Sequence, residues 1–189
     1  MSLVRVGFAL CGSFCTFSQV VPQIKNLVMD GADVTPIMSP IASSTDTRFG
    51  KAKNFRDSIE EICNKKIITT IHDAEPIGPK KLLDILIIEP CTGNTLAKLA
   101  NGITDTSVTM AAKAHLRNNR PVLIAVSTND GLSMAAKNIG ILQNCKNVYF
   151  VPYKQDDPYK KPTSLVADFD KTILAMHAAL EKSQIQPLL

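Results

Sequence analysis

The chain has 189 residues, the size of one ordinary domain, which buries roughly 70% of its unfolded surface and needs no disulfide or metal to hold a core. Hydrophobic residues make up 45% and charged residues 20%, which excludes a disordered or fibrous chain. The net charge is +4, but its only dense basic stretches are 64–66, 80–81 and 160–161, and three Tyr with no Trp leave few stacking surfaces, so no nucleic-acid partner is expected.

In chain order, residues 4–10 form a short apolar run that reads as a buried strand. Residues 17–29 follow with Val20, Val21, Ile24, Leu27 and Val28 on one helical face, and Gly31 is the C-terminal stop. Residues 33–38 give a second strand and 55–64 a helix, with 67–71 as a further short strand. Then come a strand at 83–88, helices at 94–100 and 108–117, a strand at 122–126, a helix at 132–142 and a strand at 147–151. The polar, proline-bearing stretch 153–162 reads as an exposed loop or flap, 165–182 as a closing helix, and 183–189 as a frayed tail. Continuous rather than alternating hydrophobicity is what strands covered on both faces require. The fold class expected for residues 1–189 is therefore α/β, a single domain with a three-layer, Rossmann-like (flavodoxin-like) open parallel sheet and helices on both faces.

The cysteines, Cys11, Cys15, Cys63, Cys91 and Cys145, are odd in number and form no CxxC pair. That disfavours a disulfide framework or a metal site and suits a reduced, cytoplasmic protein. No stretch reaches the roughly 20 apolar residues of a membrane span, so no membrane partner is expected.

In an open parallel sheet the ligand site lies beyond the carboxyl ends of the strands. After the first strand comes Cys11-Gly12-Ser13-Phe14, where glycine allows close backbone approach and a hydroxyl beside helix amides suits a phosphate. It is not GxGxxG, so a dinucleotide site is disfavoured. After the second strand comes Ser39-Pro40-Ile41-Ala42, whose hydroxyl could meet the same phosphate or simply open a turn. The run Glu89-Pro90-Cys91-Thr92-Gly93-Asn94-Thr95 places small and hydroxylated residues at a strand-to-helix junction, where they suit the polar edge of a flat ring.

That run, with the following Leu96-Ala97-Lys98-Leu99-Ala100-Asn101-Gly102-Ile103-Thr104-Asp105, resembles the signature of the flavoprotein family that includes the homo-oligomeric flavin-containing cysteine decarboxylases. Gly12-Ser13, Ser39-Pro40-Ile41-Ala42 with Phe49, and Asn129 extend the resemblance over residues 4 to 150. It implies FMN as cofactor, its phosphate held by Gly12, Ser13 and Ser39, with Phe14 beside them. Cys91, Thr92, Asn94 and Thr95 would line the ribityl chain and ring, with Ser107 nearby. Two departures argue against cysteine decarboxylation: residues 72–80 lack the family's catalytic His pattern, with His72 displaced, and Val126-Ser127-Thr128-Asn129 stands where Pro-Ala-Met-Asn is usual.

Within the family, the stretches 12–17, 48–62, 75–80, 89–117 and 127–132 are most similar to the flavoprotein chains of dipicolinate synthases from spore-forming bacteria. This branch implies formation of dipicolinate, a pyridine dicarboxylate, from a dihydrodipicolinate-type precursor during sporulation, in the mother-cell cytoplasm. It also implies a trimer-based homo-oligomer and a partner chain of the synthase with a nicotinamide-type Rossmann domain. Cationic candidates for the two substrate carboxylates are Arg48, Lys51, Lys53, Arg56 and Lys80, of which Arg48 and Arg56, with Asn129, are foremost because guanidinium grips carboxylate bidentately. Catalytic residues stay unassigned. Two other readings remain open: another enzyme of the family, such as a flavin prenyltransferase or decarboxylase, or a flavin-binding partner without turnover.

Overall fold

The computed structural model describes residues 3–189 and runs β1 (Arg5–Leu10), α1 (Phe17–Met29), β2 (Asp33–Met38), α2 (Pro40–Ser44), α3 (Ala52–Cys63) and α4 (Ile71–Ala74). It continues β3 (Ile85–Cys91), α5 (Gly93–Ala100), α6 (Ser107–Leu116), β4 (Val122–Thr128), α7 (Ala136–Gln143), β5 (Val148–Phe150), β6 (Tyr153–Asp157), β7 (Lys161–Ala167) and α8 (Thr172–Leu180). One sheet of seven strands has the order β2-β1-β3-β4-β7-β6, with β5 pairing along β4. β1 is parallel to both β2 and β3, β3 to β4, and β4 to β5. Every residue of β3 is buried, so both of its faces are covered. The helices α1 and α3 pack on each other in one layer, with α8 tied to α1 through the turn that precedes it, and α4, α5, α6 and α7 make the other. The chain is thus a mixed α/β, mostly parallel flavodoxin-like sheet, as its apolar runs predict.

One strand changes partners along its length. Val122–Ile124 of β4 pair in parallel with β5, whereas Ser127 and Thr128 pair antiparallel with Val166 and Leu165 of β7. β6 and β7 then form an antiparallel ribbon. This corrects the reading of 153–162 as a loop: the stretch is a hairpin, and residues 165–171, expected to open a helix, are strand and a 3-10 turn, Phe169–Lys171. The prolines at 152, 158 and 162 hide a strand-like alternation in which Tyr153, Leu165 and Ala167 are buried. The turn is held by Asp157, whose Oδ1 accepts from the amides of Tyr159 and Lys160.

Residues 67–71 make only a single bridge, Ile68 beside Ile37, and not a strand. The helix expected from 132 begins at Ala136, after a run of turns. The terminal stretch is tied down rather than frayed. Gln184 accepts from the Phe150 amide at 2.8 Å and donates to the Phe150 carbonyl at 2.7 Å, so its side chain substitutes for a neighbouring strand. Leu188 accepts from the Tyr153 amide, and both Ile185 and Leu188 pack on the core. Among the described residues no helix is long and apolar enough to cross a membrane.

The two ends of the sheet differ chemically. At the amino ends of the strands, Asp84 lies 2.6 Å from Arg5 and 3.2 Å from Arg120, and the Arg5 hydrogen bond holds the Asp84 carboxyl below its ordinary range. The carboxyl ends carry small and hydroxylated residues instead, and the candidate site lies there.

Candidate functional site

β1 is flanked by β2 on one side and β3 on the other, so strand order reverses between β1 and β3 and leaves a crevice at their carboxyl ends. A cleft of about 850 Å³ opens at this rim. Its floor is Gly12, Ser13 and Phe14 after β1, Thr92 after β3, and Ser127, Thr128 and Asn129 at the end of β4. Its outer wall is the β6–β7 hairpin, through Lys154, Asp156, Lys161 and Ser164. Phe49, 45% exposed, adds an apolar edge.

Gly12 and Ser13 lead into a 3-10 turn, Phe14–Thr16, that runs directly into α1. The leading amides of Phe14 and Cys15 have no intrahelical acceptor and lie at the positive end of the helix dipole. A Cβ at position 12 would come within 3.2 Å of Ile41 Cγ2 and 3.5 Å of the Phe14 ring, so glycine keeps this approach open. The Ser13 and Ser127 hydroxyls lie 2.8 Å apart, joining the ends of β1 and β4 across the sheet. Gly93 has a structural purpose: a Cβ there would sit 2.6 Å from Thr128 Oγ1 and 2.7 Å from Asp130 Oδ1. Thr92 caps α5 by accepting from the Thr95 amide at 3.4 Å.

Several expected site residues do not line this cleft. Ser39 is buried and caps α2 by accepting from the Ala42 amide. Ser107 is fully buried and donates to the Met38 carbonyl at 2.6 Å, fastening α6 to the end of β2. Thr95 donates to Cys11 Sγ at 3.2 Å, and Cys91 is buried beside Cys11. Burial pushes the Cys91 thiol well above its ordinary pKa, so it stays protonated and packs rather than attacks. Asn94 faces a separate, shallower cleft of about 320 Å³ with Met134 and Lys137. Arg48 lies 4.8 Å over the Phe49 ring, and Arg56 donates to the Ser43 carbonyl, so both guanidiniums are occupied locally. Lys53 pairs with Asp57 on the surface. Lys51 and Lys80 are exposed, and His72 is exposed on the short α4. Lys98 pairs with Asp105 at 2.8 Å and His177 with Asp30 at 3.4 Å.

Four features escape a reading of the sequence. Ser127 joins the floor only because β4 outlasts its parallel partner. Lys154, Asp156 and Lys161 reach the cleft only because 153–167 is a hairpin; the alternation of buried Tyr153, Leu165 and Ala167 is the available signal. Cys15 sits at the head of α1 beside Ser13, 3.8 Å away. Glu89 lies fully buried in β3, where burial raises its carboxyl to a pKa of about 8 against a weaker opposing bond from Thr172, which donates to Oε2 at 2.7 Å. Its Oε1 has no partner among the described residues. An acid inside an unbroken apolar run is the clue.

The pattern of relatives agrees with this geometry. The family model described as Flavoprotein matches residues 1–181. The chain is 47% identical over 185 residues to the B subunit of dipicolinate synthase from Bacillus subtilis (strain 168), covering 98% of this chain and 92% of that one. It superposes on the crystal structure of the dipicolinate synthase B subunit from Bacillus halodurans with a TM-score of 0.91 and 44% identity, covering 100% and 98% of the two chains. The FMN binding protein AtHal3 shares the fold, with a TM-score of 0.69 at 16% identity over 97% of this chain and 100% of that one.

Proposed function

Since the chain belongs to the flavoprotein family, we propose that it is the FMN-binding subunit of a dipicolinate synthase, an oxidoreductase-type enzyme that forms dipicolinate from a dihydrodipicolinate-type precursor. The observation that carries this reading is the meeting of Gly12, Ser13, Thr92 and Ser127, from the ends of three neighbouring strands, in one cleft beside an apolar edge. The donor set fits a flat phosphorylated ring. Gly12 leaves room for close approach, the Ser13 hydroxyl and the amides of Phe14 and Cys15 suit a phosphate, and Phe14 and Phe49 offer apolar surface.

When bound, FMN supplies the two-electron oxidation that converts a dihydropyridine to a pyridine, and the protein supplies orientation and surroundings. Ser39 and Ser107 act indirectly: one caps α2 and the other fastens α6, which fixes the end of β2 beside β1. Thr92 and Asn129, which line the cleft, would offer polar groups to the ring and to a dicarboxylate substrate. Cys91 packs as a protonated thiol behind the floor. Asn94, Arg48 and Arg56 stay outside this assignment because they line no wall of the cleft. The relatives are named as one lettered component of the synthase, the B subunit, which supports a second component, the nicotinamide-type Rossmann chain, as partner. Homo-oligomerisation and action in the mother-cell cytoplasm during sporulation belong to the same proposal.

The test is direct. The purified chain should take up FMN stoichiometrically, with a flavin absorbance spectrum and FMN as the released species by mass analysis. Mixed with the Rossmann-type partner chain and the precursor, it should yield dipicolinate, and neither chain alone should match that rate. A chain that binds no flavin on titration, or a mixture that turns over equally well without it, would refute the reading.

A further inference from the structure

The proposed function leaves the β6–β7 hairpin without a role, although it forms a whole wall of the cleft. Along a strand alternate side chains share a face, so Lys154 and Asp156 of β6 point the same way. A register shift between Gln155 and Asp157 brings Lys161 of β7 to within 2.6 Å of Asp156. That Asp156 hydrogen bond raises the Lys161 pKa, and Lys161 lines the same cleft as Cys15 at the head of α1. Beneath lie the paired hydroxyls of Ser13 and Ser127.

Both cations that line the cleft, Lys154 and Lys161, lie on the hairpin, while the carboxylates that line it are Asp156, Asp168 and Asp170. Asp168, just beyond β7, is offset by Lys171 at 3.6 Å, whereas Asp170, which accepts from Gln23 at 3.2 Å, keeps its charge at the α8 end of the cleft. Lys154 has no carboxylate within ion-pair distance among the described residues. Asp156 alone holds Lys161, and that pair is solvent-exposed and therefore cheap to exchange. An incoming oxyanion would take the place of Asp156 on Lys161 and gain Lys154 and one free hydroxyl donor, the other being spent in the Ser13–Ser127 bond.

We propose that the hairpin is the anion-recognition element of the site: Lys161, released from Asp156 and assisted by Lys154, grips an oxyanion of the ligand above Ser13 and Ser127. The shared chemistry is a carboxylate or phosphate monoester on a planar heteroaromatic ligand. The proposal rests on the cleft being the flavin and dicarboxylate site, and the experiment separates failure of that premise from failure of the proposal itself.

The full-length chain is titrated calorimetrically with FMN, with riboflavin, which lacks the phosphate, and, after loading with FMN, with pyridine-2,6-dicarboxylate. The same series is run on Lys161→Ala, Lys154→Ala and Asp156→Asn, each checked for wild-type thermal unfolding, which their exposure predicts. If the oxyanion is the flavin phosphate, Lys161→Ala weakens FMN by about tenfold to a hundredfold and leaves riboflavin unchanged. If it is a substrate carboxylate, FMN is unchanged and the dicarboxylate weakens by that factor. In either arm Lys154→Ala gives a smaller loss, and Asp156→Asn, which frees Lys161, gives a gain. Wild-type affinities for all three ligands in Lys161→Ala overturn the proposal. A wild-type chain that binds neither flavin nor dicarboxylate overturns the premise instead.

Discussion

β3 and β7 each have seven residues and share a sheet, yet they are built by opposite rules. In β3 every side chain is buried, because β1 and β4 flank it and helices cover both faces. In β7 the first half is exposed and only its end, from Ser164 onward, enters the core. The first strand is specified by hydrophobicity alone and the second by its neighbours: Asp157 makes the turn, and β4 offers β7 an edge only where β5 has ended. Stability is thus concentrated in the parallel centre, and the exposed half of the antiparallel margin is nearly free of structural duty.

The largest effect that tests this division is in the centre. Ile87→Ala, at a fully buried position of β3, should lose about 2–5 kcal/mol through lost burial and a residual cavity, read from urea midpoints. A loss below about 1 kcal/mol would show that the centre repacks freely and break the contrast.

Glu89 sharpens it, as a polar group placed where the centre tolerates none. Its folded pKa of about 8 exceeds its ordinary 4.5, so the folded chain retains a proton that the unfolded chain releases. The stability this gives is full below about pH 4.5 and is lost as pH rises toward 8. His115 has the opposite sign: burial lowers it from 6.5 to about 4, so its contribution is full above pH 6.5 and is lost as pH falls toward 4. Between these two ordinary values the slopes oppose, and above 6.5 only the Glu89 decline remains. Glu89→Gln should therefore gain on the order of 4 kcal/mol relative to the wild type between about pH 5 and pH 9. Thermal melts across that range read it; parallel curves for the two proteins would remove the buried carboxyl as the cause.

A smaller effect lies at the join between the regions. Gln184→Ala removes both side-chain bonds to the Phe150 backbone at the end of β5, and should cost about 1–3 kcal/mol in chemical denaturation. The smallest is at the hairpin tip. Tyr159, 96% exposed, should change stability by less than about 0.5 kcal/mol on conversion to Ala. A larger loss there would mean that the margin supports the fold after all.

Much of this is legible in the sequence, for reasons that differ by residue. β2 and α1 begin and end where their apolar patterns do, and Gly31, with φ of +88°, ends the first helix-to-strand turn as its type demands. Gly12, Ser13, Phe14, Thr92 and Asn129 can be read because loops after parallel strands share one rim. Ser39, Cys91, Thr95 and Ser107 read as members of that rim, but caps and cross-strand bonds that no local pattern encodes hold them out of the cleft lining. Arg48 and Arg56 are expected to face the ligand on charge alone, and nearby acceptors and a ring claim them instead.

By itself the sequence determined the parallel centre and the rim where its loops gather, since both depend on composition and short spacing, and residues 89–105 carried the resemblance to the flavoprotein family. Only the tertiary structure decided that 153–167 is a hairpin, that Lys161 lines the cleft opposite the head of α1, and that Glu89 is a buried carboxyl with a raised pKa. Those outcomes come from pairings between residues far apart in the chain, and their energies exist only once the two partners are in place.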